Sequence, residues 1–187
     1  MEKELSTADI ARYARHIVLP DIGLEGQSKL KNASVLVVGT GGLGSAVSLY
    51  LAAAGIGHIG LVDYDVVDLS NLQRQVIHST GTIGMSKVES AVQRLSDINP
   101  AIEITGYAAR FSADNAKDIA QAYDIIVDGT DNFYTRYLIN DLCVLTGKTY
   151  VYGSIYQYEG QVAIFDAQQG PCYRCIFSSP PPEGSVH

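Results

Sequence analysis

The chain has 187 residues, enough for one domain of ordinary size, and 47% of them are hydrophobic, which is ample for a packed core. A formal charge of -7 argues against a general affinity for nucleic acid, where a basic face is the expected footprint. No apolar run approaches the roughly 18–20 residues that span a bilayer and the N-terminus lacks a signal-peptide core, so a cytoplasmic protein with no membrane partner is expected. Residues 6–19 read as a helix, with Ser6 and Asp9 at capping-box spacing and Pro20 as its stop. Residues 34–38 (SVLVV) form a short β-branched run. It is followed by GTGGLG and an Ala/Leu-rich helical stretch to Ala54, with Gly55 as C-cap. Further apolar runs at 58–63, 102–107, 124–129 and 149–154 alternate with helical patterns at about 85–98, 113–122 and 132–146. This alternation predicts an α/β, Rossmann-like fold, a mostly parallel sheet with helices on both faces. Residues 157–166 (QYEGQVAIFD) alternate with no helix after them, which predicts an antiparallel extension near the C-terminus. The Pro/Gly/Ser stretch from 178 to 187 reads as a surface loop with more chain beyond it.

In such a sheet, ligands bind outside the carboxyl ends of the strands, near the reversal of strand order. That rule brings residues 39–44, Asp63 and residues 128–132 (DGTDN) to one crevice. Gly39, Gly41 and Gly44 match G-x-G-x-x-G between a strand and a helix, where glycine allows close approach to phosphate and the helix N-terminus supplies N–H donors. The motif does not separate ATP from NAD. Asp63 lies 19 residues past Gly44, close to the usual spacing of a ribose-binding acid, and reads otherwise as a solvated strand end. After it runs a polar loop. If residues 70–75 form one helical turn, Asn71, Arg74 and Gln75 share a face, and a guanidinium there suits a triphosphate; the bland alternative is a surface turn. Lys87 opens a helix, a position the macrodipole disfavours unless an anion sits there, although surface lysines are common. Asp131 could hold Mg²⁺, cap the helix that follows, or do both. Of three cysteines, Cys172 and Cys175 have metal-ligand or redox spacing, whereas Cys143 in a helical pattern reads as a buried apolar residue.

Taken in order, RYARHIVLP at 12–20, GTGGLGS at 39–45, DYDVVDLSNLQRQ at 63–75, GMSKVESA at 84–91, DGTDN at 128–132, EGQV at 159–162 and PCYRC at 171–175 make a specific combination. It resembles the ThiF/MoeB family, the bacterial adenylyltransferases of thiamine and molybdopterin synthesis related to ubiquitin-activating enzymes. The resemblance covers essentially the whole chain as a single domain with an N-terminal helical arm over 5–32. It implies ATP- and Mg²⁺-dependent adenylylation of the C-terminal carboxylate of a ubiquitin-like sulfur-carrier protein that ends Gly-Gly. By the same resemblance, Gly41 and Gly42 contact ATP, Asp63 binds the ribose, and Ser70, Asn71, Leu72, Gln73, Arg74 and Gln75 form the triphosphate loop. Lys87 resembles the phosphate lysine and Asp131, beside Asn132, the Mg²⁺ ligand. Arg15 looks like an arginine that reaches across a homodimer interface, with a helix–helix salt bridge shared with Arg12 and His16 as the alternative. Cys172 and Cys175 resemble half of a four-cysteine Zn²⁺ site whose other half would lie beyond His187, together with the rest of the family domain. Two rivals use the same residues, a nicotinamide-dependent oxidoreductase and a catalytically inactive binding partner. The first has little use for the Asn71/Arg74/Gln75 loop or for PCYRC and shows no obvious proton-transfer pair, and the charged positions that the second would have lost are present.

Overall fold

The computed structural model describes residues 3–180; the end of the expected surface loop, 181–187, lies outside the described residues. Six strands form one sheet: β1 (Ser34–Val38), β2 (His58–Asp63), β3 (Glu103–Ala108), β4 (Ile125–Asp128), β5 (Thr149–Tyr156) and β6 (Glu159–Phe165). Their order is β3-β2-β1-β4-β5-β6. The first five run parallel and β6 pairs antiparallel with β5, as the uninterrupted alternation of 157–166 predicts. Strand order reverses between β1 and β4, so their carboxyl ends open the crevice expected at a switch point.

Alternation along β1 divides the core. Leu36 and Val38 face a cluster with Ile126, Tyr150, Ile139 and Tyr123, whereas Val35 and Val37 face one with Ile59, Leu61, Ala91 and Leu95. Helices α4 (Gly42–Ala54) and α5 (Lys87–Ile98) contribute to the second cluster; α6 (Ala116–Ala120) and α7 (Phe133–Thr146) contribute to the first. Gly55 caps α4 in the left-handed conformation, φ 87°, as read from the sequence.

The arm differs from its expectation. Instead of one helix over 6–19, α1 (Thr7–Arg12) and α2 (Ala14–Ile17) are separated at Tyr13, and α3 (Gly23–Asn32) follows. The capping box is present, Asp9 accepting from the Ser6 backbone and Ser6 Oγ accepting from the Asp9 N–H. The break has a packing cause. Tyr13 is 4% exposed, packs against Gly55, and accepts a hydrogen bond from Asn99 Nδ2 at 2.7 Å. Gln27 and Asn99 in turn donate to Ala54 O and Ala52 O, carbonyls of the last turn of α4, of which Ala52 O also accepts from Gly55 N. The arm therefore packs on its own chain, at the amino ends of β2 and β3. Lys31 reaches Asp9 at 2.6 Å and, with Ser6, holds that carboxyl down at about 2 from its ordinary 3.8. A depressed carboxylate stabilises above its unfolded pKa and loses that contribution as pH falls through the folded one. Protection of the α1 amides, measured against intrinsic exchange at each pH, should accordingly fall between about pH 4 and pH 2, and Asp9→Asn should remove this dependence.

Candidate functional site

A cleft of about 730 Å³ opens at the carboxyl ends of β1, β2, β3 and β4, within the size range of small-molecule sites. Its floor is the turn from β1 into α4. Gly39 has φ 90°, and a Cβ on it would meet Gly129 O at 2.9 Å; a Cβ on Gly44 would sit 1.8 Å from Gly39 O. Gly39 and Gly44 thus fold the turn tightly against the β4 loop, as the glycine pattern predicts. Among the described residues no side chain caps α4, and Gly41, Gly42 and Leu43 line the cleft, leaving the first backbone donors of a 13-residue helix there.

Asp63 ends β2 at the cleft wall, but its oxygens are occupied. Oδ2 accepts from Thr40 N at 2.8 Å and Thr40 Oγ1 at 2.9 Å, and Oδ1 accepts from Asp65 N at 3.0 Å. Thr40 O is contacted at 3.2 Å by Nε2 of buried His78, whose Nδ1 meets Ser90 Oγ at 3.0 Å. Burial pushes the His78 pKa down, against the pull of the Thr40 carbonyl. Asp63 therefore fastens the glycine turn from one side and His78 from the other. Asp63→Ala should lower folding stability by about 1.5–3 kcal/mol, measured by urea unfolding, because it orphans buried Thr40 donors. Unchanged stability would leave Asp63 as a strand-end carboxylate.

The 70–75 loop forms a short 3-10 turn at Leu69–Asn71, and the Asn71 carbonyl then accepts from Arg74 N and Gln75 N. Arg74 and Gln75 line the cleft; the Arg74 stem lies 3.6 Å from where a Gly42 Cβ would stand. The Asn71 side chain is not part of the cleft lining. Its Oδ1 accepts from Asp68 N, and the Asp68 carboxylate caps Ser70. Ser70, Asn71, Leu72 and Gln73 shape the loop without entering the cleft wall. Gln75 is buried, and its Oε1 has no partner among the described residues.

Lys87 is the first residue of α5 and is 6% exposed; its Nζ lies 2.9 Å from Asp65 Oδ2. The anion that the macrodipole calls for is thus supplied by the chain itself. Across the cleft, Asn132 caps α7, accepting from Thr135 N at 2.9 Å. This corrects the alternative reading of Asp131 as the cap. Asp131 is exposed at the cleft rim and makes no side-chain hydrogen bond or ion pair among the described residues.

Among the cleft residues that sequence reading missed are Arg136, Arg110, Tyr64 and Asp65. Arg136 lies one turn past Asn132, buried beneath the Asp131 corner, with Nε 4.0 Å from Asp128 Oδ2 and no hydrogen bond on Nε among the described residues. Its i+4 spacing from Asn132 was a usable signal. Burial pushes the Asp128 pKa up, against hydrogen bonds from Thr130 and Tyr150. Arg110, two residues past β3, stacks over Tyr64 at 4.6 Å, and the strand-end rule points to both. Asp65 had no signal beyond its place in the loop.

Arg15, Cys172 and Cys175 lie outside the cleft wall. Arg12 donates to Ile98 O and His16 bonds Gln27; none of Arg12, Arg15 and His16 meets a carboxylate in a salt bridge among the described residues, and Arg15 is exposed. Cys172 is the N-cap residue of α8 (Tyr173–Ile176) and Cys175 lies within it; the helix is held to α7 by Asn140 and by a two-bond Arg174–Asp141 pair. Their Sγ atoms are 3.7 Å apart, close to the edge of about 3.8 Å that 2.3 Å bonds give in tetrahedral zinc. No third ligand joins them among the described residues, so the pair fits half a site and no more. Cys143 is buried, as expected, which pushes its thiol up to about 12. No helix among the described residues is long and apolar enough to cross a membrane.

Comparison with known proteins agrees with this geometry. The chain is 54% identical over 97% of its length to the probable adenylyltransferase/sulfurtransferase MoeZ of Mycobacterium tuberculosis, of which it covers 47%. It is 49% identical over 95% of its length to the sulfur carrier protein adenylyltransferase of Thermus thermophilus, covering 68% of that protein. The crystal structure of E. coli MccB with ATP superposes with a TM-score of 0.78 at 30% identity, over 88% of this chain and 50% of that one. The chain thus spans about half the length of MoeZ and of MccB. The ThiF family model matches residues 13–187, and the chain belongs to the ThiF family.

Proposed function

We propose that the cleft binds ATP and transfers its adenylyl group to the C-terminal carboxylate of a ubiquitin-like sulfur-carrier protein. The observation that carries this reading is the set of groups around one volume: the uncapped start of α4, Arg74, Lys87 and Asp131. The names of relatives 49–54% identical support it, and so does the ATP complex of a protein with the same fold.

In the reaction, a carboxylate oxygen bonds to the α-phosphorus. The bond from that phosphorus to the oxygen bridging to the β-phosphate breaks, and pyrophosphate leaves with the electron pair. Two anions must meet, so positioning and charge neutralisation dominate. Gly41 and Gly42 offer backbone donors, while Arg74 and Lys87 draw the phosphates toward the glycine turn. Asp131 fits a Mg²⁺ ligand because no protein donor competes for it among the described residues; the ion would offset charge on the leaving pyrophosphate. No side-chain nucleophile is needed. We further assign a homodimer, a Gly-Gly carrier tail, half of a zinc site at Cys172 and Cys175, and a cytoplasmic setting, all on the family resemblance.

The test is exchange of labelled pyrophosphate into ATP, measured with a panel of purified sulfur carriers. Exchange that depends on one carrier supports the assignment. Binding of NAD without binding of ATP overturns it.

A further inference from the structure

We propose that Asp65 is a resident counter-ion that competes with the triphosphate for Lys87, setting how tightly the cleft takes its anionic ligand. The inference rests on the nucleotide reading above for the identity of that ligand, and on three observations for its mechanism.

First, Lys87 carries its ammonium in a side chain only 7% exposed, and Asp65 Oδ2 at 2.9 Å is its acceptor among the described residues. A buried ammonium without a partner is costly, so Asp65 keeps the charge in place before a ligand arrives. Second, the pairing is built into the backbone. Lys87 N–H donates to Asp65 O at 3.0 Å, and Val66 bridges to Ser86, so the loop after β2 cannot drift from the start of α5. Third, the two partners differ in freedom. The Asp65 side chain is 47% exposed while Lys87 is enclosed, and both line the cleft. When phosphate oxygens reach Lys87, a carboxylate beside them is a like charge in a confined space. Asp65 is the member of the pair with room to turn into solvent. Seating the ligand is therefore an exchange of anions at one ammonium, not a simple addition, and part of the new attraction offsets the pair that is lost.

The experiment uses the whole chain and inorganic tripolyphosphate as probe, with ATP in parallel, by titration calorimetry at low ionic strength. Asp65→Asn, nearly the same shape without the charge, should bind tripolyphosphate roughly three- to tenfold more tightly than the parent. It should also melt at a lower temperature when free and regain the difference when saturated. On a Lys87→Met background the same change should have a much smaller effect, since the shared ammonium is gone. Equal or weaker binding by Asp65→Asn, an equal gain without Lys87, or no binding of tripolyphosphate to the parent each overturns the proposal. If tripolyphosphate behaves as expected while ATP fails to bind, the counter-ion survives and the ATP assignment fails.

Discussion

Asp131→Ala should reduce carrier-dependent exchange of pyrophosphate into ATP by about a thousandfold, because a metal-held charge contributes several kcal/mol to the transition state. The fold should not suffer. Asn132, not Asp131, caps α7, and Asp131 has no hydrogen bond or ion pair to lose among the described residues. The carboxylate is therefore available for a ligand, and its removal isolates that role. Circular dichroism and urea unfolding should match the parent, and Asp131→Asn, which keeps an oxygen but no charge, should fall between the two. Exchange within tenfold of the parent, in a folded variant, would remove Asp131 from the metal site.

Much of the scaffold was legible because short β-branched runs and helical stretches of ordinary length repeat with little ambiguity. Residues 34–38 and 58–63 were bounded correctly as strands, since Gly39 and Asp63 end them for reasons visible in the chain. The arm was misread at Tyr13, because the break there comes from contacts with Gly55 and Asn99, residues 42 and 86 positions away, which no local pattern encodes. The cleft was legible in its main parts, since Gly41, Gly42, Asp63, Arg74, Lys87 and Asp131 all reach it. What the chain alone did not disclose were the contacts these residues make with one another. Asn71 was grouped with Arg74 by spacing, yet its side chain closes the loop on Asp68, a competition typical of Asn near turns. Asp63 reaches the cleft as expected, and its added clamp on Thr40 depends on the meeting of two strand ends. Arg136 could have been found by carrying helical periodicity one turn past Asn132.

Arg15→Ala should lower adenylation by about a thousandfold, the lower end of the effect of a guanidinium delivered from a neighbouring molecule, with little change in ATP affinity. The structure narrows how Arg15 could act. Its helix α2 lies between α1 and α3, which are fastened at Gly55, Asn99, Ala54 and Gly57, at the amino ends of β2 and β3. The cleft opens at the carboxyl ends. Six-residue strands separate the two by about 20 Å, more than an arginine side chain spans. Arg15 therefore cannot serve its own cleft, and a catalytic role requires a second copy of the chain. Its exposed position leaves it available to one. The discriminating measurement mixes two inactive proteins. An Asp131→Ala subunit still donates its own arginine, and an Arg15→Ala subunit still carries an intact metal site. Under subunit exchange, a mixed dimer regains one complete cleft. A statistical mixture, half of it mixed dimers with one working site of two, should recover about one quarter of parental exchange. If differently tagged subunits are shown to mix and activity stays absent, Arg15 does not act across an interface. If dilution yields a fully active monomer, the dimer itself is rejected, and the exposed guanidinium is left to the surface of the arm.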